Sequence, residues 1–261
     1  MAKACQLFSG SKGNSIYVAS SCGKFLVDAG VSAKRLDEKL LSIGVDPDEL
    51  DGIFITHEHT DHIGGLRVFS AKHNLPVFAH RDVVTKIKDG GFVKDGVPVY
   101  EIEKNMELCS AEIVSFENSH DSVACVGYRF NFGERSISVC TDTGYVTDEA
   151  KNALHGTDMI YLESNHEVTM LQNGIYPYPL KQRILSAKGH LSNFACSEFA
   201  KELVATGTTR IALAHLSKEN NIPDVARQAT LCALDEAGFC ENVDFRLYVS
   251  PEECFERPIV L

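Results

Sequence analysis

Short apolar runs separated by polar stretches predict buried β-strands in the first part of the chain. Residues 24–27 (Lys-Phe-Leu-Val) and 52–56 (Gly-Ile-Phe-Ile-Thr) have strand length. Between them, Leu36, Leu40 and Ile43 recur at helical spacing, which is typical of an amphipathic helix. The pattern therefore predicts strands that alternate with helices.

The middle of the chain has the pattern of antiparallel strands. Residues 111–116, 122–132 and 135–140 have the length and composition of strands. The run Asn131-Phe132-Gly133-Glu134 is the predicted turn between the last two. We expect these three strands to lie side by side in one sheet.

Helices return in the last third. Asn193 is a candidate N-cap for a helix that reaches about Ala205, and a strand is expected at residues 210–214. Pro223 suits the first turn of a helix that reaches Ala237, because the N–H that proline lacks has no partner in a first turn. The order of elements is mixed α and β, which two packed sheets with helices outside would satisfy.

The composition is that of a globular protein with a sizeable core. The chain has 261 residues, of which 44% are hydrophobic. No internal repeat and no linker rich in Pro, Gly or Ser divides it, so residues 1–261 are predicted to form a single domain. Its apolar runs are too short to cross a bilayer, and the start Met1-Ala2-Lys3-Ala4-Cys5 lacks a signal-peptide core. These features predict a cytoplasmic protein with no membrane partner.

Cysteine usage and net charge narrow the setting further. The nine cysteines are scattered and form no Cys-x-x-Cys pair, which argues against a disulfide framework and against a thiolate zinc site. They fit a reducing compartment. The formal charge of -11 opposes general attraction to nucleic acid, because an acidic field repels phosphates. A nucleic-acid substrate would have to be held by local basic residues and by metal ions.

Four side chains able to bind metal are concentrated directly after the predicted strand at residues 52–56. His57, His59, Asp61 and His62 lie within six residues, where a tight loop can turn them toward one point. Neutral imidazole and carboxylate suit Zn²⁺, Mn²⁺ or Fe²⁺. An ordinary surface loop rarely has this spacing behind a buried strand, so the run predicts a metal site.

The run His57-x-His59-x-Asp61-His62 closely resembles the signature of the metallo-β-lactamase superfamily. Later motifs follow in the order expected for that superfamily, namely Ser119-His120-Asp121, Cys140-Thr141-Asp142-Thr143-Gly144 and Leu213-Ala214-His215-Leu216-Ser217. The resemblance implies a hydrolase with an α+β fold, the four-layer αβ/βα sandwich.

The same resemblance implies two divalent metal ions, which would be Zn, Mn or Fe. One metal would be held by His57, His59 and His120, the other by Asp61, His62 and His215, and Asp142 would bridge them. Two metals about 3.5 to 4 Å apart can share a hydroxide and clamp both oxygens of a phosphoryl group. Because the same centre also hydrolyses thioesters, the ligands predict hydrolysis better than they predict the substrate.

Within the superfamily, the chain is most similar to the YycJ/WalJ-like branch over nearly its whole length. The hallmarks are residues 8–15 (Phe-Ser-Gly-Ser-Lys-Gly-Asn-Ser), 25–30 (Phe-Leu-Val-Asp-Ala-Gly), 163–166 (Glu-Ser-Asn-His) and 189–193 (Gly-His-Leu-Ser-Asn). The branch implies a 5′-to-3′ DNA exonuclease in DNA repair, acting on DNA that is single-stranded or has a 5′ end. Only 72 residues lie between Asp142 and His215, too few for the large nucleic-acid clamp of some relatives.

Asp61 and His190 are the candidate catalytic residues. His190 resembles the extra histidine with which related phosphodiesterases assist the leaving group, since an imidazole can carry a proton near neutral pH. The alternative for His190 is a purely structural role. The candidate substrate-binding residues are Ser9, Ser11, Asn14 and Ser192. The candidate supports for the metal ligands are Asp28, Asn165 and His166.

Two further segments have open interpretations. Residues 9–15 could present backbone N–H groups and hydroxyls to a terminal phosphate, or form a plain turn. Lys181, Arg183 and Lys188 could guide a DNA strand, or form a solvated face. The alternatives to a nuclease are a small-molecule phosphodiesterase, a glyoxalase-II-like thioesterase and a metal-stabilised scaffold without catalysis.

Overall fold

The computed structural model describes residues 1–253 and 257–261. The strands are β1 (Lys3–Phe8), β2 (Ser15–Ser20), β3 (Gly23–Val27), β4 (Gly52–Ile55), β5 (Val77–Ala79), β6 (Val99–Glu101), β7 (Asn105–Leu108), β8 (Ala111–Glu117), β9 (Val126–Phe132), β10 (Arg135–Cys140), β11 (Met159–Glu163), β12 (Arg210–Ala214), β13 (Arg246–Val249) and β14 (Ile259–Val260). The helices are α1 (Ala33–Ser42), α2 (Thr60–Ile63), α3 (Leu66–Lys72), α4 (Arg81–Asp89), α5 (Asp148–Leu154), α6 (Val168–Asn173), α7 (Tyr178–Ile184), α8 (Asn193–Ala205) and α9 (Pro223–Glu236), and a 3₁₀ helix spans Pro47–Glu49.

The described strands form two seven-stranded sheets. The strand order is β14-β1-β2-β3-β4-β5-β6 in sheet A and β13-β12-β11-β10-β9-β8-β7 in sheet B. Strands β3 to β6 run parallel, as do β10 to β13. Neighbouring parallel strands need a crossover connection, and in this chain helices lie in several of those crossovers. The remaining pairs, including the predicted β8, β9 and β10, are antiparallel.

The two sheets pack face to face through a core rich in aromatic side chains. Phe130 of sheet B lies 5.6 Å from Phe25 and 5.3 Å from Phe54 of sheet A, measured between ring centroids. Such aromatic pairs contribute about 0.5–1.5 kcal/mol beyond the burial of their area. The buried Tyr128 hydroxyl donates to the Ile55 carbonyl across the interface at 2.6 Å, so no polar cost remains there.

Helices cover the outer face of each sheet. Leu36 of α1 and Phe69 of α3 lie in the core on the outside of sheet A. Phe199 of α8 and Leu234 of α9 lie in the corresponding core of sheet B. The resulting order of helix, sheet, sheet and helix confirms the predicted four-layer α+β sandwich. Within the described residues, no helix combines the length and hydropathy needed to span a membrane.

Most predicted elements are confirmed, with differences near the site. The strand predicted at residues 122–132 begins only at Val126, because residues 118–125 form a loop closed by a bond from Asn118 N to Cys125 O of 2.9 Å. Helix α8 is capped by Ser192, whose Oγ accepts from Ala195 N, and not by Asn193. The turn before β10 is one residue later than predicted, since Phe132 pairs with Arg135.

Candidate metal centre

The predicted metal ligands meet at one edge of the sandwich, where strands of both sheets end. In sheet A, β4 leads directly into the loop that carries the first four ligands. In sheet B, strands β8, β10 and β12 run in the same direction and their ends carry the other three. The structure therefore brings together all seven residues, which are His57, His59, Asp61, His62, His120, Asp142 and His215.

Three residues that follow strands in this region have strained backbones. Asp28, Asp142 and His215 have φ angles of 61°, 60° and 56°, in the left-handed region that residues other than glycine seldom adopt. Each such residue costs on the order of 1–3 kcal/mol and persists only where its surroundings fix it. The conformation turns each side chain toward the centre immediately after its strand.

The loop of the first four ligands is fixed to the neighbouring backbone. Asn14 N donates to Asp61 O at 2.7 Å, and Ala29 N donates to His62 O at 2.8 Å. A Cβ atom on Gly30 would lie 1.8 Å from Asp61 O, so only glycine permits this approach. Backbone contacts thus set the position of the loop before any metal binds.

Each predicted half-site is a group of neighbouring ligand atoms, and further groups, such as His57, His62 and Asp142, overlap with them. His57, His59 and His120 each offer a ligand atom within 4.8 Å of the others, and Asp61, His62 and His215 do the same. His57 Nε2 lies 3.0 Å from His59 Nδ1. The ligand sets taken from the family resemblance therefore correspond to two groups that are close in space.

Asp142 lies between the two groups. Its Oδ1 is 3.8 Å from His120 Nε2, and its Oδ2 is 3.4 Å from His62 Nε2. Asp142 is buried, and among the described residues its Oδ2 accepts no hydrogen bond. A buried carboxylate oxygen without a donor is costly, and a cation on it would remove that cost. The donor set of imidazoles and carboxylates fits divalent metal ions at this place.

Hydrogen bonds behind the imidazoles hold the Nδ1 atoms of three of these rings. His62 Nδ1 is 2.7 Å from Asp28 Oδ2, and His120 Nδ1 is 3.1 Å from the Gly189 carbonyl. His57 Nδ1 is 3.0 Å from the Thr56 hydroxyl, which itself donates to Asp28. In each of these rings Nδ1 donates outward, so Nε2 is the atom that faces the centre.

The buried carboxylates of the cluster favour positive charge on the neighbouring histidines. Burial alone would lower the pKa of His62, but the carboxylates of Asp142 and Asp28 raise it to about 10. Burial would also lower the pKa of His215, whereas Asp142 and Glu163 raise it to about 9. Divalent metals would supply that charge in place of protons, and their binding would release the protons.

Glu163, at the end of β11, holds two histidines at once. Its Oε1 lies 2.7 Å from His190 Nδ1 and 2.8 Å from His215 Nδ1, while its Oε2 accepts from Thr143 N and Leu191 N. Burial alone would raise the pKa of Glu163, but His190 and His215 lower it to about 2. The sequence leaves Glu163 open between supporting a metal ligand and a purely structural role; its place at the end of a fully buried apolar strand is a signal that favours the former.

His190 lies beside the ligands and lines the same pocket. Its ring centroid is 5.0 Å from that of His120, and its Nδ1 is 3.8 Å from Asp142 Oδ1. Because Nδ1 faces Glu163, Nε2 is the nitrogen left for a substrate. Asp61, the other candidate catalytic residue, lines the pocket as well.

Three of the four candidate substrate-binding residues have internal partners. Ser9 Oγ accepts from His215 N at 2.9 Å, Ser192 caps α8, and the Asn14 amide lies 3.0 Å from His62 Nε2. Of the four, only Ser11 lines the catalytic pocket. Ser9 and Asn14 thus contact His215 and His62, two of the predicted ligands.

The candidate supporting residues differ in their surroundings. The Asn165 amide donates to the His215 carbonyl at 2.9 Å and also lines the pocket. His166 is buried, and neither of its ring nitrogens has a hydrogen-bond partner among the described residues. Burial lowers the pKa of His166 to about 4. Asp28 and Asn165 therefore contact ligands, whereas His166 contributes no hydrogen bond to them.

The centre opens into a pocket of about 210 Å³. One wall is formed by the segment around α7, from which Tyr176, Leu180, Arg183, Ile184 and Lys188 line the pocket. Of the three basic residues singled out in the sequence, Arg183 and Lys188 thus face the site. Lys181 does not line the pocket, and its Nζ donates to the Gln172 carbonyl.

Replacing Asp28 by asparagine is expected to weaken metal binding by about 10- to 100-fold, because His62 loses the charged acceptor of its Nδ1–H. Asparagine tolerates a positive φ as well as aspartate does, so the backbone should be unaffected. Titration of metal against a competing chelator measures the effect, with Asp95→Asn on an exposed loop as the control. An Asp28→Asn variant that binds metal like the unmodified protein would contradict this role for Asp28.

Comparisons with known proteins agree with this geometry. Residues 24–216 match the β-lactamase superfamily domain. The chain is 39% identical over 251 residues to Exodeoxyribonuclease WalJ of Streptococcus pneumoniae serotype 2, covering 94% of this chain and 93% of that protein. It is 36% identical over 244 residues to Exodeoxyribonuclease YycJ of Bacillus anthracis, covering 93% and 92%.

A solved structure shares the fold over almost the whole chain. The crystal structure of the metallo-β-lactamase fold protein YhfI from Bacillus subtilis has a TM-score of 0.70 at 18% identity, and the match covers 97% of this chain and 98% of that one. This likeness shows the fold, and the domain match and the two relatives show the family. The chain belongs to the β-lactamase superfamily and, within it, to the family of the exodeoxyribonucleases WalJ and YycJ.

Proposed function

We propose that the protein is a dinuclear metal-dependent exodeoxyribonuclease that degrades DNA from its 5′ end. The observation that carries the proposal is the position of His190, a pocket-lining imidazole that adjoins the ligand cluster while Glu163 holds its Nδ1 at 2.7 Å. A phosphodiester releases an alkoxide, which needs a proton, and this imidazole is placed to give one. The relatives named exodeoxyribonuclease support DNA as the substrate.

The metals would be held by the seven clustered residues, with Asp142 between the two half-sites. When bound, such a pair of Zn, Mn or Fe ions supplies an activated hydroxide and neutralises phosphoryl oxygens. Asp61 lines the pocket, so its half-site would be the one exposed to substrate. Its backbone carbonyl accepts from Asn14 N, which fixes its position. As an imidazolium, His190 would give its Nε2 proton to the departing oxygen, while Glu163 accepts from Nδ1–H and orients the ring.

Three further points belong to the same proposal. Seven of the described cysteines are free thiols, which supports a cytoplasmic location; they are Cys22, Cys109, Cys125, Cys140, Cys196, Cys232 and Cys240. The core between the two sheets supports a single domain over residues 1–261.

A role in DNA repair would use an enzyme that removes nucleotides from free ends. Ser11 lines the pocket and would contact a 5′-terminal phosphate.

Digestion of end-labelled DNA tests the proposal. Single strands with a 5′-phosphate should be degraded faster than 5′-hydroxyl strands, because the terminal phosphate gains contacts with the metals and with Ser11. Removing the metals with a chelator should stop the reaction, and adding back Mn²⁺ or Zn²⁺ should restore it. Progress from the 3′ end or equal rates on both strands would contradict the 5′ assignment.

The alternative functions predict other outcomes when thioesters, dinucleotides and DNA are compared as substrates. A thioesterase would hydrolyse thioesters and leave DNA intact, whereas a small-molecule phosphodiesterase would cleave dinucleotides but not polymers. A scaffold without catalysis would bind metal and hydrolyse none of these substrates. Each of these results would replace the nuclease proposal.

A further inference from the structure

The pocket wall formed by residues 175–188 is an exposed layer outside the cores of the fold. Helix α7 contains no buried residue, so apolar packing does not explain its position. Polar bonds hold the wall at both ends. Tyr176 Oη is 3.0 Å from Glu219 Oε2, and Ser119 Oγ donates to the Ala187 carbonyl at 2.8 Å. Both of these anchors lie in loops that also carry predicted metal ligands, His215 and His120.

Two glycines allow the far end of the wall to approach the centre closely. A Cβ atom on Gly189 would lie 2.0 Å from the Ile184 carbonyl oxygen, and one on Gly144 would lie 2.2 Å from that of Ala187. His190 follows Gly189 directly, and its own N–H donates to the Ile184 carbonyl at 3.1 Å. The wall is therefore built into the catalytic site, although it contributes nothing to the hydrophobic cores.

The outer surface of this wall carries aromatic and apolar side chains that water surrounds. Tyr178 is 72% exposed and Ile175 is 89% exposed. Tyr178 stands between Pro177 and Pro179, whose rings fix their own backbone angles and restrict the residue before each. The tyrosine is thus held in place at little further entropic cost, as residues that contact flexible ligands often are.

Positive charge lies beside these aromatic side chains in a chain of net charge -11. Lys188 lines the pocket and has no side-chain partner among the described residues. Lys181 and Arg183 lie on α7. Arg183 Nε is 2.9 Å from Asp121 Oδ2 in an exposed ion pair. Local cations of this kind can attract a phosphate backbone that the protein as a whole repels.

We propose that this wall is a binding platform for unpaired nucleotides next to the bond that is cleaved, with a base stacked on Tyr178 and the phosphates tracking past Lys188. The inference rests on the proposed nuclease function and names the part of the protein that selects single strands. Stacking on an aromatic ring needs a base with a free face and tolerates any base, whereas a paired and stacked base offers no such face.

The dimensions of the wall set how many nucleotides it can hold. Helix α7 has seven residues and is about 10 Å long at 1.5 Å per residue. Stacked nucleotides advance about 3.4 Å along a strand, so the wall accommodates about three of them. With one more nucleotide at the metal centre, catalytic efficiency should rise with oligonucleotide length up to about four nucleotides and then level off.

A length series of single-stranded 5′-phosphorylated oligonucleotides, from two to eight nucleotides, tests the platform. We expect kcat/KM to rise with length in the unmodified protein. In Tyr178→Ala the tetranucleotide should lose about tenfold relative to the dinucleotide, since stacking on one aromatic side chain is typically worth that much or more. Tyr178→Phe keeps the ring and should restore the length dependence. Tyr100→Ala, at a similarly exposed tyrosine on the edge strand β6, is the matched control and should behave like the unmodified protein.

The ratio of tetranucleotide to dinucleotide efficiency separates the possible results. A general loss of structure lowers both efficiencies and leaves the ratio unchanged, and an unchanged ratio in Tyr178→Ala overturns the platform. Equal efficiency at all lengths in the unmodified protein overturns the platform and leaves the nuclease proposal standing. If the unmodified protein cleaves no oligonucleotide of any length, the nuclease proposal fails and the platform fails with it.

Discussion

Replacing Asp142 by alanine is expected to abolish hydrolysis and to reduce the metal content of the protein. Asp142 is the buried carboxylate that lies within reach of both ligand groups, and no other described carboxylate occupies that position. A correctly held metal contributes several kcal/mol of transition-state stabilisation, so kcat should fall by about 10³ or more. His59→Ala should have the same consequence, because it removes a ligand from the other side of the centre.

Metal analysis of the purified variants and kcat on DNA measure this effect together. Asp142→Asn is an informative companion, since asparagine tolerates the positive φ at this position and removes only the charge. Asp95→Ala, in an exposed loop, should keep full activity and metal content. Full activity with unchanged metal stoichiometry in Asp142→Ala or in His59→Ala would overturn the dinuclear assignment.

Replacing His190 by alanine should preserve both metals and most DNA affinity while lowering turnover. The departing oxygen of a phosphodiester develops negative charge, and a protonated imidazole within reach lowers that barrier by a factor of about 10² to 10⁴. The loss should be smaller on a p-nitrophenyl phosphodiester, whose phenolate leaves without a proton. His190 is not one of the seven predicted ligands, and its Nδ1 is held by Glu163 at 2.7 Å, so its removal should leave the ligand cluster in place.

The decisive measurement is kcat on DNA and on the p-nitrophenyl ester, with metal content determined in parallel. His155→Ala, at an exposed histidine that does not line the pocket, is the control. An equal loss on both substrates would favour a positioning role and contradict proton donation. Loss of metal in His190→Ala would instead make His190 a ligand or the direct support of one.

The elements of the fold were accessible from the sequence because most strands here are uninterrupted apolar runs. Strands such as β4 and β12 are buried on both faces, so their residues have no polar alternation and stand out between polar loops. The error at residues 122–125 has a physical reason. Val123 N bonds to Glu58 of the ligand loop instead of to a neighbouring strand, and local composition contains no sign of such a distant partner.

The ligand cluster was predictable to a different degree from its surroundings. His57 to His62 are dense enough in sequence to indicate metal by themselves, whereas His120, Asp142 and His215 needed the family resemblance. The contacts of Ser9 and Asn14 with His215 and His62 were not predictable, because a short polar loop looks the same in sequence whatever its side chains bond to. The role of Glu163 stayed open in the sequence because its two histidine partners are 27 and 52 residues away.

The location of the centre at the seam between the sheets has a mechanical consequence. Its ligands come from the loop after β4 on one side and from the ends of β8, β10 and β12 on the other, so each bound ion would act as a cross-link between the two halves of the sandwich. The coupling is the same in both directions. If metal binding stabilises the packing of the two sheets, well-packed sheets must raise the affinity for metal by the same free energy. A cavity made between Phe54 and Phe130, in the core between the sheets, should therefore weaken metal binding at the centre.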